Sequence, residues 1–175
     1  MGHNIGFPHC SGPYSTPYDS QWDSMSSGNY QANAGSPFGT NFNVGTGYIA
    51  YNRNKNKWID ANKIYYAYPG TSTTIRLERL ETPTTNDYLM AKVFIRGGNS
   101  YYYTVEARKK VGYDTGVPLE GVLIHQVDEF RRVEDIFNPG QFNDDRYAQV
   151  VDSTNDNNPN DAGAIWTPGE TYSDA

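Results

Sequence analysis

Residues 88–108 read YLMAKVFIRGGNSYYYTVEAR, and this stretch decides the fold class. Tyr88–Arg96 and Ser100–Arg108 are rich in aromatic and β-branched residues, which favour strands. Gly97-Gly98-Asn99 lies between them and is typical of a hairpin turn. The stretch therefore predicts two strands joined by a tight turn.

The strand signal continues on both sides of this hairpin. Around Ile75 and Leu77, apolar residues alternate with charged ones, as in a half-buried strand. Several short strands separated by frequent turn signals indicate an antiparallel β-sandwich. The other predicted strands are Asn62–Tyr68, Thr73–Glu81, Gly121–Asp128 and Arg146–Val151.

The chain before residue 60 has a different pattern. Residues 13–40 are punctuated by Pro and Gly and predict a loop. Tyr48–Lys55 has an apolar face and late basic residues, which favour a short helix. Trp58 follows it and is predicted to plug the core at a domain junction. We therefore expect an α+β protein whose pattern changes near residue 60.

The composition favours a β-rich, loop-rich extracellular protein. The 175 residues include 15 Tyr and 17 Gly, and only 19% are charged. The net charge of -6 argues against a nucleic-acid partner, which would require a basic surface. No apolar run reaches the ~18 residues of a membrane span. The sole cysteine, Cys10, is either a small buried side chain or the partner of a cysteine elsewhere.

The first nine residues, MGHNIGFPH, contain two histidines on either side of a glycine. Gly6 can take the positive φ that ends a helical turn, and Pro8 prevents the helix from continuing. His3 is therefore expected on a last helical turn and His9 on the extended segment after it. This arrangement lets the two imidazoles converge on one ion. The alternative is two histidines that merely lie near a Gly-Pro turn.

A methionine in a polar turn follows, within the sequence YDSQWDSMS at residues 18–26. Methionine usually fills cores, so Met25 is unusual there, and Asp23 is predicted to bond the turn amides before it. Together with the histidine pair, this turn resembles the gametolysin-like metzincin zinc metallopeptidases. Their pattern is H-E-x-x-H-x-x-G-x-x-H followed by a Met-turn. Residues 101–128 also resemble the β-rich region after the catalytic part of gametolysin-like and immune-inhibitor-A-like secreted peptidases.

The resemblance implies a secreted zinc-dependent endopeptidase that hydrolyses proteins or peptides with a metal-activated water. It implies that His3 and His9 bind Zn²⁺ and that Met25 forms an apolar floor beneath the ion. Gly6 and Asp23 are then structural residues of the motif.

The resemblance also implies that the motif is cut. Its leading His and its general-base Glu would fall immediately before Met1, so we expect this chain by itself to be inactive. Residues 1–58 would be the C-terminal part of a catalytic domain, and residues 59–175 a β-sandwich. One departure is Ser27, which lies where several metzincins have a tyrosine.

Other interpretations remain open. The chain could be a pseudopeptidase, or a non-catalytic secreted module for adhesion or carbohydrate binding. Tyr101–Tyr103 and Trp166 would supply the surface of such a module. Glu106 and His125 could form an acid-base pair. The alternative is a hydrogen-bonded structural histidine, with Glu106 in a same-face ion pair with Arg108.

Asp152–Gly163, DSTNDNNPNDAG, is an acidic loop rich in amides. Its oxygen ligands suit Ca²⁺, which extracellular modules often bind. It lacks the Gly and the Glu that an EF-hand loop has at its sixth and twelfth positions. A solvated, turn-rich loop is therefore the alternative to a calcium site.

Overall fold

The computed structural model describes residues 2–14, 16, 18–27, 46–95, 98–135, 138–142 and 144–173. Within these ranges the chain is mostly β-sheet with one α-helix, so the predicted α+β class is confirmed. No helix in the described ranges has the length and apolar character needed to cross a membrane.

Nine strands and one α-helix make up the described elements. The strands are β1 (Cys10–Ser11), β2 (Ile64–Ala67), β3 (Met90–Phe94), β4 (Tyr101–Arg108), β5 (Gly121–Asp128), β6 (Arg132–Val133), β7 (Asp144–Asp145), β8 (Ala148–Val150) and β9 (Ile165–Trp166). The helix is α1 (Ala50–Lys55), and short 3₁₀ helices cover Gly2–Ile5, Ala61–Lys63, Gly112–Gly116 and Ala162–Ala164.

Seven of these strands form one mixed sheet in the order β1-β8-β5-β4-β3-β2, with β9 also paired to β5. The central pairs are antiparallel, whereas β1–β8 and β2–β3 are parallel. The predicted β-sandwich is therefore not what the described strands form. Short alternating strands are common to sandwiches and single sheets, so the pattern alone did not separate the two.

The antiparallel pairing of β3 and β4, in which Ala91 lies opposite Val105, confirms the two paired strands of the predicted hairpin. Gly97 of the predicted turn lies outside the described residues. The strand predicted over Thr73–Glu81 is wrong. Leu77 and Arg79 form single bridges to different partners, Tyr88 and Ala107, so no continuous ladder develops.

One core joins the two predicted domains. Strand β1, from the N-terminal part, pairs with β8, and side chains from both parts share a single buried cluster. The boundary predicted after residue 58 therefore does not coincide with a break in the core. The cluster includes Cys10, Trp22, Ile49 and Tyr51 from before that boundary and Tyr102, Leu123, Val127 and Val150 from after it.

Trp58 lies at the surface rather than in the core. Its side chain is 55% exposed, so the predicted core plug is wrong. The indole packs edge-on against the rings of Phe7 and Tyr48, at centroid distances of 5.1 Å and 5.8 Å. A large aromatic residue thus covers the segment before His9 instead of filling the sheet interior.

Helix α1 packs on the central strand β4. The backbone N–H of Ala50, at its first turn, donates to the carboxylate of Glu106 on β4. Arg53 and Lys55 lie in its last turn, where basic residues complement the helix dipole. The helix predicted over Tyr48–Lys55 is confirmed, and it begins two residues later than the pattern indicated.

Candidate metal centre

His3 and His9 face each other. Their Nε2 atoms lie 2.9 Å apart, and the rings meet edge to face with centroids 4.6 Å apart. Gly2–Ile5 form one 3₁₀ turn, and Gly6 follows it with a φ of 80°. His9 lies on the extended segment before β1. The predicted local structure around the two histidines is confirmed.

The spacing of the two nitrogens suits one small ion. Two nitrogens bound to zinc at about 2.0–2.1 Å in tetrahedral geometry lie about 3.3 Å apart. The observed 2.9 Å between the Nε2 atoms is within a few tenths of an ångström of that separation. The two nitrogens are therefore separated by nearly the distance expected of two ligands of one zinc ion.

Met25 lies beneath the turn that carries His3. Its side chain is buried, and a Cβ atom built on Gly2 would lie 2.1 Å from the Met25 Sδ atom. A side chain at residue 2 would therefore have to displace the end of the Met25 side chain or the turn itself. The structure thus places an apolar side chain against the backbone next to the histidine pair.

Asp23 holds the turn that contains Met25. Its Oδ1 accepts the Met25 backbone N–H at 3.2 Å, and its Oδ2 accepts from Asn52 Nδ2 at 2.7 Å. The predicted bonding of Asp23 to turn amides is confirmed. Burial raises the pKa of Asp23 to about 7.

A carboxylate that the sequence analysis did not identify contacts His9. Asp144 Oδ1 lies 2.6 Å from His9 Nδ1. The other oxygen, Oδ2, accepts from Arg146 Nε and Nη2 at 2.9 Å and 2.7 Å. Asp144 follows His9 by 135 residues, so no local pattern connects them. Only the spacing of Asp144 and Arg146, two residues apart in an extended segment, was visible in the sequence.

These groups open into a pocket of about 610 Å³. The Tyr18 hydroxyl lies 3.4 Å from His9 Nε2, and burial raises the pKa of this phenol above its ordinary value. Tyr18 is therefore a neutral group near the histidine pair at pH 7. The remaining lining residues include Phe7, Lys55, Asp135, Asp145 and Tyr147.

The predicted calcium loop brings three carboxylates together. Oxygen atoms of Asp152, Asp156 and Asp161 lie within 4.8 Å of one another. Asp152 also accepts hydrogen bonds from Tyr14 and Thr154, and Asp161 accepts from the backbone N–H of Gly163. These bonds are also those of a turn-rich loop, so both alternatives for the loop persist.

Glu106 and His125 do not form an acid-base pair open to a substrate, because neither has any exposed surface. Glu106 Oε1 accepts from Arg108 Nη1 at 2.7 Å, which confirms the same-face ion pair. The prediction that His125 is hydrogen-bonded is wrong, because neither ring nitrogen has a partner among the described residues. Burial lowers the pKa of His125 to about 3, so its ring is neutral at pH 7.

The aromatic surface of the alternative module is mostly interior. Tyr102 and Tyr103 are 1% and 5% exposed, although they are on opposite faces of β4. The Tyr102 hydroxyl donates to Glu129, and the Tyr103 hydroxyl lies 2.8 Å from that of Tyr172. Two of the three tyrosines therefore fill the two sides of the sheet, and Tyr101 is the one that is exposed, at 36%.

Two smaller expectations concern Cys10 and the predicted loop. Cys10 is buried in β1, and burial raises the pKa of its thiol well above the ordinary value. A protonated buried thiol agrees with the prediction that Cys10 is a small buried side chain rather than the partner of a cysteine elsewhere. Ser27 donates its backbone N–H to the Ser20 carbonyl. Residues 15, 17 and 28–40 of the predicted loop lie outside the described residues.

Comparisons with known protein families, curated proteins and solved structures give no match to this chain. The histidine pair, the carboxylate bound to it and the methionine beneath it are the features that bear most directly on its chemistry.

Proposed function

We propose that this chain is part of a secreted zinc metalloendopeptidase of the metzincin type, in which His3 and His9 bind the ion through Nε2. The main support is the 2.9 Å approach of these two atoms at the wall of a pocket. Imidazole nitrogens are common zinc ligands, and catalytic zinc sites use histidines from a helix and its surroundings. Met25 beneath the turn and Gly6 at its end support the same assignment.

When bound, zinc lowers the pKa of a coordinated water to about 7 and polarises the substrate carbonyl. The residues of this chain would bind and orient the ion and exclude water from around it. His3 and His9 offer their Nε2 atoms as ligands, and Met25 lies below the helical turn that carries His3. The pocket of about 610 Å³ has room for a short extended peptide beside the histidines.

A complete site of this type needs a third ligand and a general base. The lining of the described pocket includes His3 and His9 but no third histidine and no Glu. We therefore propose that these 175 residues bind zinc weakly and hydrolyse no peptide by themselves.

Zinc titration of the chain tests the ligand assignment. We expect weak one-to-one binding that is lost in His3→Ala and in His9→Ala. Asp145→Asn is the matched control, because Asp145 lines the same pocket and contacts Arg132 and Tyr147 rather than the histidines. Binding that survives loss of either histidine contradicts the assignment.

Casein cleavage by the zinc-loaded chain tests the activity. We expect no cleavage by these 175 residues, and any cleavage that is observed should be lost when a chelator removes zinc and regained when zinc is added. Cleavage that is unaffected by the chelator contradicts a zinc peptidase.

A further inference from the structure

We infer that Asp144 is a positioning residue, which Arg146 holds in place and which fixes the His9 ring so that its Nε2 faces His3. The inference rests on the proposed zinc site, and it adds to that site a group from the far end of the sequence.

The contact with Asp144 determines which nitrogen of His9 carries the hydrogen. An ionised carboxylate only accepts hydrogen bonds, so the 2.6 Å contact requires Nδ1 to carry a hydrogen and donate to Oδ1. The neutral ring then has its lone pair on Nε2, which is the atom that faces His3 at 2.9 Å. The same bond also fixes the ring orientation, as carboxylates do for metal-binding histidines in general.

Arg146 fixes the carboxylate. Its Nε and Nη2 both donate to Asp144 Oδ2, which leaves Oδ1 for His9. The Arg146 and Asp144 side chains are only 4% and 9% exposed, so water competes little for these charged hydrogen bonds. The guanidinium therefore keeps Asp144 oriented toward the histidine.

Asp144 is not placed to be a ligand itself. Its nearer oxygen bonds Nδ1, the nitrogen of His9 that points away from His3. Among the described residues, Asp152, Asp156 and Asp161 are the one group of three or more His, Cys, Asp or Glu side chains with ligand atoms within 4.8 Å of one another, so Asp144 does not form such a group with His3 and His9. Asp144 thus acts on the ion only through His9.

The contact between Asp144 and His9 joins two distant parts of the chain. Asp144 begins β7, which pairs with β6 in a two-stranded ribbon. Arg132 of β6 forms an ion pair with Asp145 at 2.9 Å across that ribbon. The β-rich part of the chain thereby orients a histidine from the N-terminal segment, so the site depends on residues from both parts.

Two measurements on the whole chain test the inference. The first is zinc affinity, measured by competition with a chromophoric chelator. We expect Asp144→Ala to weaken binding by about 10–100-fold, the usual effect of removing such a partner. Asp144→Asn should also weaken binding, because its single amide oxygen accepts from Arg146 and its NH2 group then faces His9 Nδ1. Asp60→Asn, at an exposed carboxylate outside the pocket, should leave affinity unchanged.

The second measurement is ¹⁵N NMR of the metal-free ring nitrogens, at a pH where both imidazoles are neutral. The chain has 3 histidines, so the His9 signals are assigned by comparison with His9→Ala. We expect hydrogen on Nδ1 in the natural chain and a shift toward hydrogen on Nε2 in Asp144→Ala. Asp144→Asn replaces that variant in both measurements if Asp144→Ala does not fold.

Hydrogen on Nε2 of His9 in the natural chain overturns the inference. Zinc affinity that Asp144→Ala and Asp144→Asn both leave unchanged also overturns it. A natural chain that binds no zinc, yet has hydrogen on Nδ1 that depends on Asp144, supports the positioning role and refutes the proposed zinc function.

Discussion

The Sδ atom of Met25 lies beneath Gly2, where a Cβ atom would be only 2.1 Å away from it. The helical turn with His3 therefore sits directly on the methionine, with no room for a side chain between them. This contact couples the polar turn held by Asp23 to the histidine pair.

Gly2→Ala should disturb this contact. The added methyl group must displace either the Met25 side chain or the turn, at a cost of about 1–3 kcal/mol for overpacking. We expect lower stability in urea unfolding and weaker zinc binding, because His3 follows residue 2 directly. Met25→Ala in the same chain should restore part of the stability by making room.

Gly98→Ala is the control for that experiment, since nothing lies within 4 Å of a Cβ atom at Gly98. It should leave zinc binding unchanged. Equal effects of Gly2→Ala and Gly98→Ala would show that the close approach of Gly2 to Met25 has no energetic importance.

Arg108→Met should destabilise the fold strongly. Arg108 donates to Glu106 at 2.7 Å and to Asp114 at 2.6 Å, and none of these ionic groups is exposed. Removing the cation leaves two buried carboxylates without a counter-charge, which costs about 3–5 kcal/mol. The free energy of unfolding in urea measures the loss.

Arg132→Met is the comparison, because Arg132 pairs with Asp145 at the surface and both side chains are more than 40% exposed. A surface pair of this kind contributes about 0–1 kcal/mol. If the two substitutions cost the same, the buried network does not stabilise the fold in the way its geometry indicates.

Local structure was predictable from the sequence because it depends on neighbouring residues. The strand pattern of β4 and β5 and the turn at Gly6 follow from side-chain type and backbone freedom. The same holds for Asp23, whose bond to Met25 spans two residues. These features required no knowledge of which distant segments meet.

Long-range partners were not predictable in this way. Strand β1 pairs with β8 near the other end of the chain, and His9 contacts Asp144 across 135 residues. Periodicity assigns a side chain to a face but does not identify the strand beside it. The single mixed sheet and the carboxylate partner of His9 are therefore products of tertiary packing.

His125→Leu should stabilise the protein. His125 is fully buried, and neither ring nitrogen has a hydrogen-bond partner among the described residues. An apolar side chain of similar size removes that unmet polarity, so we expect a gain of about 1 kcal/mol at pH 7 in urea unfolding.

The gain in stability from His125→Leu should increase as the pH is lowered. The pKa of His125 is lowered from 6.5 to about 3 in the folded chain by burial. Between these two values the unfolded chain binds a proton that the folded chain does not, so the natural chain loses stability as pH falls. Thr104→Val, opposite His125 on β4, removes another unpartnered polar atom but should not change with pH. A difference between His125→Leu and the natural chain that is constant from pH 7 to pH 4 contradicts the assigned burial.

Asp23→Asn should alter the pH dependence of stability in the opposite sense. Burial raises the pKa of Asp23 from 3.8 to about 7, so the folded chain retains a proton that the unfolded chain loses in this range. Stability from this group is complete below pH 3.8 and is lost as pH rises through about 7. The slope is on the order of 1 kcal/mol per pH unit between the two values.

Asp23→Asn should remove that slope in urea unfolding measured from pH 4 to pH 8, whereas Asp60→Asn, at an exposed carboxylate, should retain it. Parallel pH profiles for the natural chain and Asp23→Asn would mean that the carboxylate beneath the Met25 turn is ionised in the folded protein.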